Sequence, residues 1–284
     1  MSATALAGLP RQIKHAVRQV RGRRDLVVVV SSRPRFELGS VDLQHTTLDL
    51  ADLDRSYYLR GAGRTARSLA GFIQENSFQR VCFIGASKGG FGALMLSREL
   101  AEALPRVQFS AIAFSPQTRL WPKNEGLGFP SYAALIAEAK HNRRLAASLE
   151  RFGDQRRPLA SDSVRWRVYY GSKNAGDTAE AEGLPTGGVT LAPLPMSSHS
   201  TLLPVLCSRL EPEQIRRIVQ AHHGAKSADA DLAFNLLSSN QEQLVNEIAA
   251  TQPVPSFNEI VSEAFDAMPG PNPWRRLMAR FARA

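Results

Sequence analysis

The sequence predicts an α/β fold, a mostly parallel β-sheet with helices on both faces. Three observations support this class: short apolar runs bounded by turn residues, helical periodicity between those runs, and a glycine-rich turn that joins one run directly to a helix. Continuous β-branched runs are typical of strands buried on both faces. Strands that alternate with helices predict a parallel sheet whose two faces are covered.

The predicted elements divide the chain into three segments. We predict strands over residues 26–30, 44–50, 80–84, 107–114, 164–170 and 188–194. Helical periodicity covers residues 62–76, 91–100, 132–152, 200–222, 228–250, 257–267 and 273–283. We therefore expect a basic leader over 1–24, an α/β domain over 25–224 and a helical extension over 225–284.

The net charge of +9 is concentrated at the two ends of the chain. In the leader, the spacing of Leu9, Ile13 and Val17 predicts a short basic amphipathic helix over 9–20. A basic excess is compatible with nucleic-acid binding, but no recognition motif or interleaved aromatic patch accompanies it, so we expect no nucleic-acid partner. The charge is better explained by solvated ends, or by a weak contact with anions, a membrane surface or a protein.

Cysteine usage and hydropathy exclude further classes. Cys82 and Cys207 are far apart within apolar runs, which predicts buried packing residues rather than a disulfide framework or a catalytic role. No apolar run approaches the length needed to span a membrane. The amino end lacks the pattern of a secretory signal, so we expect a cytoplasmic protein; an arginine-rich, acid-poor end is also typical of an organelle transit peptide, which is the alternative.

The glycine-rich turn carries the strongest chemical signal. Gly85-Ala86-Ser87-Lys88-Gly89 follows an apolar strand and precedes an amphipathic helix. A strand that turns sharply into a helix holds a serine hydroxyl out of the sheet, and flanking glycines allow close packing. The alternatives are a tight turn of another α/β fold or a phosphate-binding loop, although GASKGG matches neither common phosphate-binding spacing.

A nucleophilic serine requires a base and an acid that orients it, in the order serine, acid, histidine. His199 follows the last predicted strand, where a loop returns over the sheet. The acid is expected in the loop after the penultimate predicted strand, residues 164–170. Asp177 is the first carboxylate there, and Glu180 and Glu182 are the alternatives. An ordinary loop aspartate, or a cap of the next helix, also explains Asp177, and a surface loop histidine also explains His199.

Amide groups are the candidate donors for an oxyanion. The Lys88 amide begins the helix behind Ser87, where the helix dipole adds positive potential. The second donor is expected after an earlier strand, which indicates the backbone amide of Ser32 or Arg33. The Lys88 side chain either favours an anionic substrate or points into solvent.

These residues resemble the α/β-hydrolase superfamily. The Ser-Lys-Gly-Gly form of the turn is similar to hydrolase-like proteins of bacterial accessory secretion and surface-polysaccharide loci, over roughly residues 25–210. The resemblance implies ester chemistry without a cofactor, on a small-molecule or glycan acyl ester. It also implies an alternative, because some such relatives act in assembly: a non-enzymatic, partner-binding protein that retains the fold.

The last residues carry a separate expectation. Trp274, Leu277, Met278 and Phe281 fall on one face of a predicted helix, with arginines mostly elsewhere around it. A short basic helix with an aromatic stripe suits a groove on a protein partner or an anionic membrane surface. The alternative is that the stripe packs onto the α/β domain.

Overall fold

Seven strands form one sheet in the computed structural model, which describes residues 4–20, 22, 24–159, 163–225, 229–236 and 240–268. The strands are β1 (Ile13–Arg18), β2 (Asp25–Ser31), β3 (Thr46–Asp52), β4 (Arg80–Ala86), β5 (Gln108–Phe114), β6 (Val164–Gly171) and β7 (Val189–Leu194). They lie in the order β1-β3-β2-β4-β5-β6-β7. Among the pairs that these seven described strands form, β1 and β3 at the edge are antiparallel and the others are parallel. The six predicted strands and the predicted fold class are confirmed.

Helices connect the strands and continue beyond the last of them. They are α1 (Ala62–Glu75), α2 (Lys88–Ala103), α3 (Pro130–Ala139), α4 (Arg143–Phe152), α5 (Ala175–Glu182), α6 (Leu203–Leu206), α7 (Pro212–Gly224), α8 (Ala230–Asn235), α9 (Gln241–Thr251) and α10 (Phe257–Asp266). Within the described ranges, none of them is long and apolar enough to cross a membrane. The predicted helix over 273–283 lies outside the described residues.

The long helix predicted over 132–152 is two helices. The break falls at Asn142, whose side chain accepts a hydrogen bond from the Leu145 amide and so begins α4. Asparagine competes for backbone groups at this position, which favours a cap over a helix interior. Periodicity alone did not register this local competition.

The sheet separates two hydrophobic cores. Along β2, Val28 faces the core that contains α1 and α2, whereas Val27 and Val29 face the opposite core. The second core is formed largely by helices that follow β7, through buried residues such as Leu244, Ile248, Ile260, Val261 and Phe265. The helical extension therefore covers one face of the sheet.

The prediction of a helix over residues 9–20 is wrong. Residues 13–18 form β1, which pairs antiparallel with β3 from Ile13 opposite Asp52 to Arg18 opposite Thr47. Without β1, the edge of β3 would present a row of unpaired backbone N–H and C=O groups, and pairing with them favours a strand. The periodicity of residues 9–20 does not reveal this partner. Arg18 fixes the end of the strand, because its guanidinium pairs with Asp49 at 3.1 Å and donates to the Val41 carbonyl oxygen at 2.6 Å.

Two glycines allow the turn after β4. A Cβ atom on Gly85 would collide with the Gly89 carbonyl group, and a Cβ atom on Gly89 would collide with the Val30 carbonyl oxygen. Both obstacles are backbone atoms, which cannot rotate away. Helix α2 therefore lies against β2 and β4 at a distance that only glycine permits.

We predict that Gly89→Ala lowers the free energy of unfolding by about 3 kcal/mol or more, because the added methyl group overpacks a rigid backbone contact. Gly187→Ala is the matched control, since nothing lies within 4 Å of its Cβ position. Urea unfolding of both variants measures the difference. Equal stability of the two variants would contradict the close contact at Gly89.

Candidate active site

Ser87 lies at the turn between β4 and α2 in a strained backbone conformation. Its φ is 51° and its ψ is −119°, values that residues with a side chain rarely adopt. The surrounding structure holds this geometry, since the Ser87 amide donates to the Phe114 carbonyl oxygen of the next strand at 2.8 Å. The side chain is partly exposed. Strain at a reachable hydroxyl, directly after a central strand, is typical of a nucleophile elbow.

The imidazole of His199 lies beside this hydroxyl. Its Nε2 is 3.0 Å from Ser87 Oγ, across 112 residues of chain. The loop between β7 and α6 brings the histidine back over the carboxyl end of the sheet. The ring is largely buried and packs against Phe129, with the ring centroids 5.1 Å apart. The predicted serine and histidine are thus brought within hydrogen-bond distance.

Asp177 lies on the other side of the imidazole. Its Oδ1 is 2.6 Å from His199 Nδ1, and its Oδ2 accepts from Ser115 Oγ at 2.5 Å. An ionised carboxylate only accepts, so Nδ1 carries the proton and Nε2 presents a lone pair to Ser87. This is the tautomer that a general base requires. Asn174, rather than Asp177, caps the following helix α5.

The two alternative acids have other environments. Glu180 accepts from the Thr118 amide at 2.5 Å and from Asn124 Nδ2 at 2.6 Å, so it holds the loop after β5. Glu182 is exposed. Of the three carboxylates considered from the sequence, the structure places Asp177 against His199.

Gln117 is a member of the site that the sequence did not suggest. Its Nε2 is 3.1 Å from Ser87 Oγ and 3.2 Å from His199 Nε2, and the residue is buried. It follows β5 in Ser115-Pro116-Gln117, at the carboxyl end of the strand beside the elbow strand. A polar residue directly after a predicted strand is the sequence feature that could have indicated Gln117. A side-chain amide so close to the serine and histidine helps to fix both in position.

One expectation from the sequence was that the Lys88 side chain points into solvent, and this expectation is wrong. It is 7% exposed and forms an ion pair with Asp231 at the start of α8. Burial alone would raise the pKa of Asp231, but the Lys88 ammonium and the Ser131 amide lower it below the usual aspartate value. The carboxylate therefore stays ionised and neutralises the lysine charge beside the nucleophile.

Two acids of the extension join α8 to the site. Asp231 accepts from the Ser131 amide at 2.9 Å, which connects α8 to α3. Asp229 lies 3.5 Å from the Arg33 guanidinium and 3.7 Å from that of Arg55. Helix α8 thus covers the site from a part of the chain that begins 142 residues after the elbow's Lys88.

The candidate oxyanion donors differ in availability. The Lys88 amide is the first of α2, so the helical pattern provides no acceptor for it. The Ser32 turn lies beside it, since a Cβ atom on Gly89 would come within 3.0 Å of the Ser32 nitrogen. However, the Ser32 amide donates to a Glu37 carboxylate oxygen at 2.5 Å. Ser32 would serve as a donor only after Glu37 withdraws, and its role, like that of the Arg33 amide, stays a prediction.

Glu247 of α9 holds the segment that precedes the histidine. Its carboxylate accepts from the Ser197 amide at 3.0 Å and the Ser198 amide at 3.3 Å, and also from the Ser197 hydroxyl. Charge-assisted hydrogen bonds to two consecutive amides fix a loop more firmly than neutral ones. Gln243, one turn earlier on α9, adds a hydrogen bond of 2.9 Å to Ser197 Oγ.

A histidine near this loop is kept neutral. Burial, followed by the charge of Arg33 and the neighbouring His223, lowers the pKa of His222 to about 4. Its Nε2 lies 3.2 Å from Ser200 Oγ, directly after His199 in the chain. At neutral pH this second imidazole adds no charge next to the catalytic candidates.

The fold and these distances define the class: the chain has an α/β-hydrolase fold with a serine, histidine and aspartate in contact at its elbow. No protein-family model matches the chain, and no curated protein matches it in sequence. A search of solved structures finds many chains of weak similarity.

Three of these structures illustrate the level of similarity. A putative hydrolase from Agrobacterium vitis S4 is 15% identical with a TM-score of 0.45, covering 75% of this chain and 92% of its own. Esterase B from Lactobacillus Rhamnosis HN001 is 12% identical with a TM-score of 0.44, covering 77% and 87%. The bottromycin epimerase BotH is 16% identical with a TM-score of 0.41, covering 66% and 87%. Similarity at this level assigns no activity.

We predict that Glu247→Gln slows the reaction of Ser87 with a fluorophosphonate probe by about 10- to 100-fold, because the His199 loop loses its charged acceptor and the imidazole shifts. Glu242→Gln is the matched control, an exposed glutamate of the same helix. Intact-protein mass spectrometry follows the labelling rate. Unchanged labelling in Glu247→Gln, or equal slowing in both variants, would show that Glu247 does not position His199.

Proposed function

We propose that this protein is a serine hydrolase that acts on an acyl ester through an acyl-enzyme. The observation that carries the proposal is the continuous contact from Ser87 Oγ to His199 Nε2 at 3.0 Å and from His199 Nδ1 to Asp177 Oδ1 at 2.6 Å. This arrangement supplies a nucleophile, a base and an orienting acid at an elbow.

The residues divide the reaction into two steps. His199 Nε2 takes the proton of Ser87 as Oγ attacks the ester carbonyl carbon, and the Lys88 amide stabilises the oxyanion. The imidazolium then protonates the departing alcohol, which leaves the acyl group on Oγ. In the second step His199 deprotonates water or an acceptor alcohol. The oxygen of that molecule attacks the carbonyl carbon of the acyl-enzyme, which releases the acyl group, and His199 returns the proton to Ser87 Oγ. Water gives an esterase, and an acceptor alcohol gives an acyltransferase.

The substrate class follows from the resemblance of the elbow sequence. We propose an acylated small molecule or glycan, in line with the Ser-Lys-Gly-Gly relatives of surface-polysaccharide and accessory secretion loci. No metal or cofactor takes part in the proposed steps. A cytoplasmic location and a partner of the carboxyl-terminal helix stay predictions from the sequence.

One observation favours a second function, that of a partner-binding protein which retains the hydrolase fold. The Ser32 amide, one of the two candidates for the second oxyanion donor, is already bonded to Glu37. A fluorophosphonate probe separates the two functions, since it modifies only an activated serine. Labelling of the intact chain that disappears in Ser87→Ala supports the hydrolase, and absence of labelling supports the partner-binding protein.

We predict that Ser87→Ala lowers the turnover of p-nitrophenyl esters by at least about 10³-fold, because the acyl-enzyme no longer forms. The melting temperature should change little, since the partly exposed hydroxyl contributes little packing. Activity assays and thermal unfolding of the same preparations measure both. Turnover within tenfold of the parent protein would refute the assignment of Ser87.

We predict that Asp177→Asn lowers kcat by about 10² to 10⁴, because the imidazole loses the carboxylate that fixes its tautomer. Glu182→Gln, in the same helix but exposed, should retain full activity. Steady-state kinetics of the two variants provide the comparison. A silent Asp177→Asn together with a severe Glu180→Gln or Glu182→Gln would move the acid to a later position.

A further inference from the structure

A cleft that shares no lining residue with the elbow lies at the amino ends of α1 and α4. The cleft has a volume of about 620 Å³, and four arginines line it: Arg11, Arg60, Arg64 and Arg144. The remaining lining residues are Pro10, Gln12, Gly61, Asn142, Leu145 and Ser148. None of the described lining residues carries a carboxylate, although Asp54 and Glu138 contact Arg60 from outside the lining. We call this feature the arginine cleft.

The chain brings three segments together to form the arginine cleft. Gln12 Nε2 donates to the Arg60 carbonyl oxygen at 2.8 Å, which ties the start of β1 to the loop before α1. Gly61 has a φ of 75°, and a Cβ atom there would lie 2.9 Å from Pro10, so the two segments approach closely. The first turn of α4 supplies the third side of the cavity of about 620 Å³.

Two of the arginines are held in place by protein groups. Arg60 pairs with Asp54 at 2.9 Å and with Glu138 at 2.7 Å. Arg64 Nε donates to the Gly8 carbonyl oxygen at 2.6 Å, which leaves its two terminal amino groups for another acceptor. These contacts hold the two guanidinium groups at the cleft before any ligand arrives.

The other two arginines carry charge that the protein does not neutralise. Across the part of the chain that the structure describes, neither Arg11 nor Arg144 makes a side-chain hydrogen bond or an ion pair, and both are exposed. The amino ends of α1 and α4 also meet the cleft, and neither first turn carries an acidic residue. Their helix dipoles add to the positive potential of Arg11, Arg64 and Arg144, whose charges no described carboxylate offsets.

We propose that the arginine cleft binds an oxyanion of two or more charges, of the phosphoryl or sulfate class. Guanidinium groups bind such anions through paired N–H donors. Three of the four arginines that line the cavity have no carboxylate partner among the described residues, which favours a ligand of high charge density. The cavity is large enough for a pyrophosphate group together with part of the molecule that carries it. The proposal goes beyond the ester chemistry and does not require Ser87 to be reactive.

The cleft and the elbow lie at the same edge of the sheet. Ile13 at the start of β1 pairs with Asp52 at the end of β3, and Ser87 follows the parallel strand β4. The carboxyl ends of parallel strands meet at one edge, where ligands of α/β proteins bind. The anion is therefore either a charged group of the ester substrate or a separate ligand at the same edge.

Isothermal titration with pyrophosphate tests the site in the full chain. At low salt, where screening is weak, we expect a Kd below about 1 mM, and binding at least about tenfold weaker in the double variant Arg11→Gln/Arg144→Gln. Arg216→Gln/Arg217→Gln on α7 removes the same charge from exposed arginines that pair with Glu213. This control should bind like the parent chain. Absence of binding, or equal weakening in both double variants, would overturn the proposal.

A kinetic comparison identifies the source of the anion. If the anion belongs to the substrate, a phosphate-bearing ester should have a lower KM than its neutral counterpart, and pyrophosphate should raise only that KM. If it is a separate ligand, the two esters should share one KM and pyrophosphate should still bind. Both results support the cleft as an anion site, and the titration stands even if neither ester is turned over.

Discussion

The backbone of Ser87 is the constraint on which the rest of the site depends. A side chain at a φ of 51° costs of order 1–3 kcal/mol, so the surrounding contacts must impose it. Gly85 and Gly89 permit the contact between α2 and the strands, and the Phe114 carbonyl oxygen holds the Ser87 amide. The contacts that offset this strain lie at the centre of the sheet, where both faces are buried.

The polar groups of the site are supported by elements far apart in the chain. Asp177 is held by Ser115 after β5, and Ser115 in turn lies 2.9 Å from the Thr201 hydroxyl after β7. Glu247 holds the loop before His199 from a helix of the extension. Each supporting group satisfies a hydrogen bond that would otherwise be lost in a largely buried site. The side chains of the site are therefore held in place only once these distant segments have folded together.

Sequence patterns predicted the elements whose signal is local. The β-branched run of β2 and the order of Ser87, Asp177 and His199 required no knowledge of distant contacts. The partners of Lys88 and Ser32, and the roles of Gln117 and Glu247, depend on side chains that meet only after folding. The helix prediction for residues 13–18 was wrong for the same reason, because pairing with the distant edge of β3 makes this segment a strand.

The ion pair of Lys88 and Asp231 bears on how the protein can be divided. A chain that ended at residue 224 would leave the Lys88 ammonium group without its carboxylate partner beside the nucleophile. Loss of one partner of a buried pair costs about 3–5 kcal/mol, a large part of the stability of an ordinary domain. The extension therefore contributes to the stability of the sheet it covers, and we expect the two to unfold together.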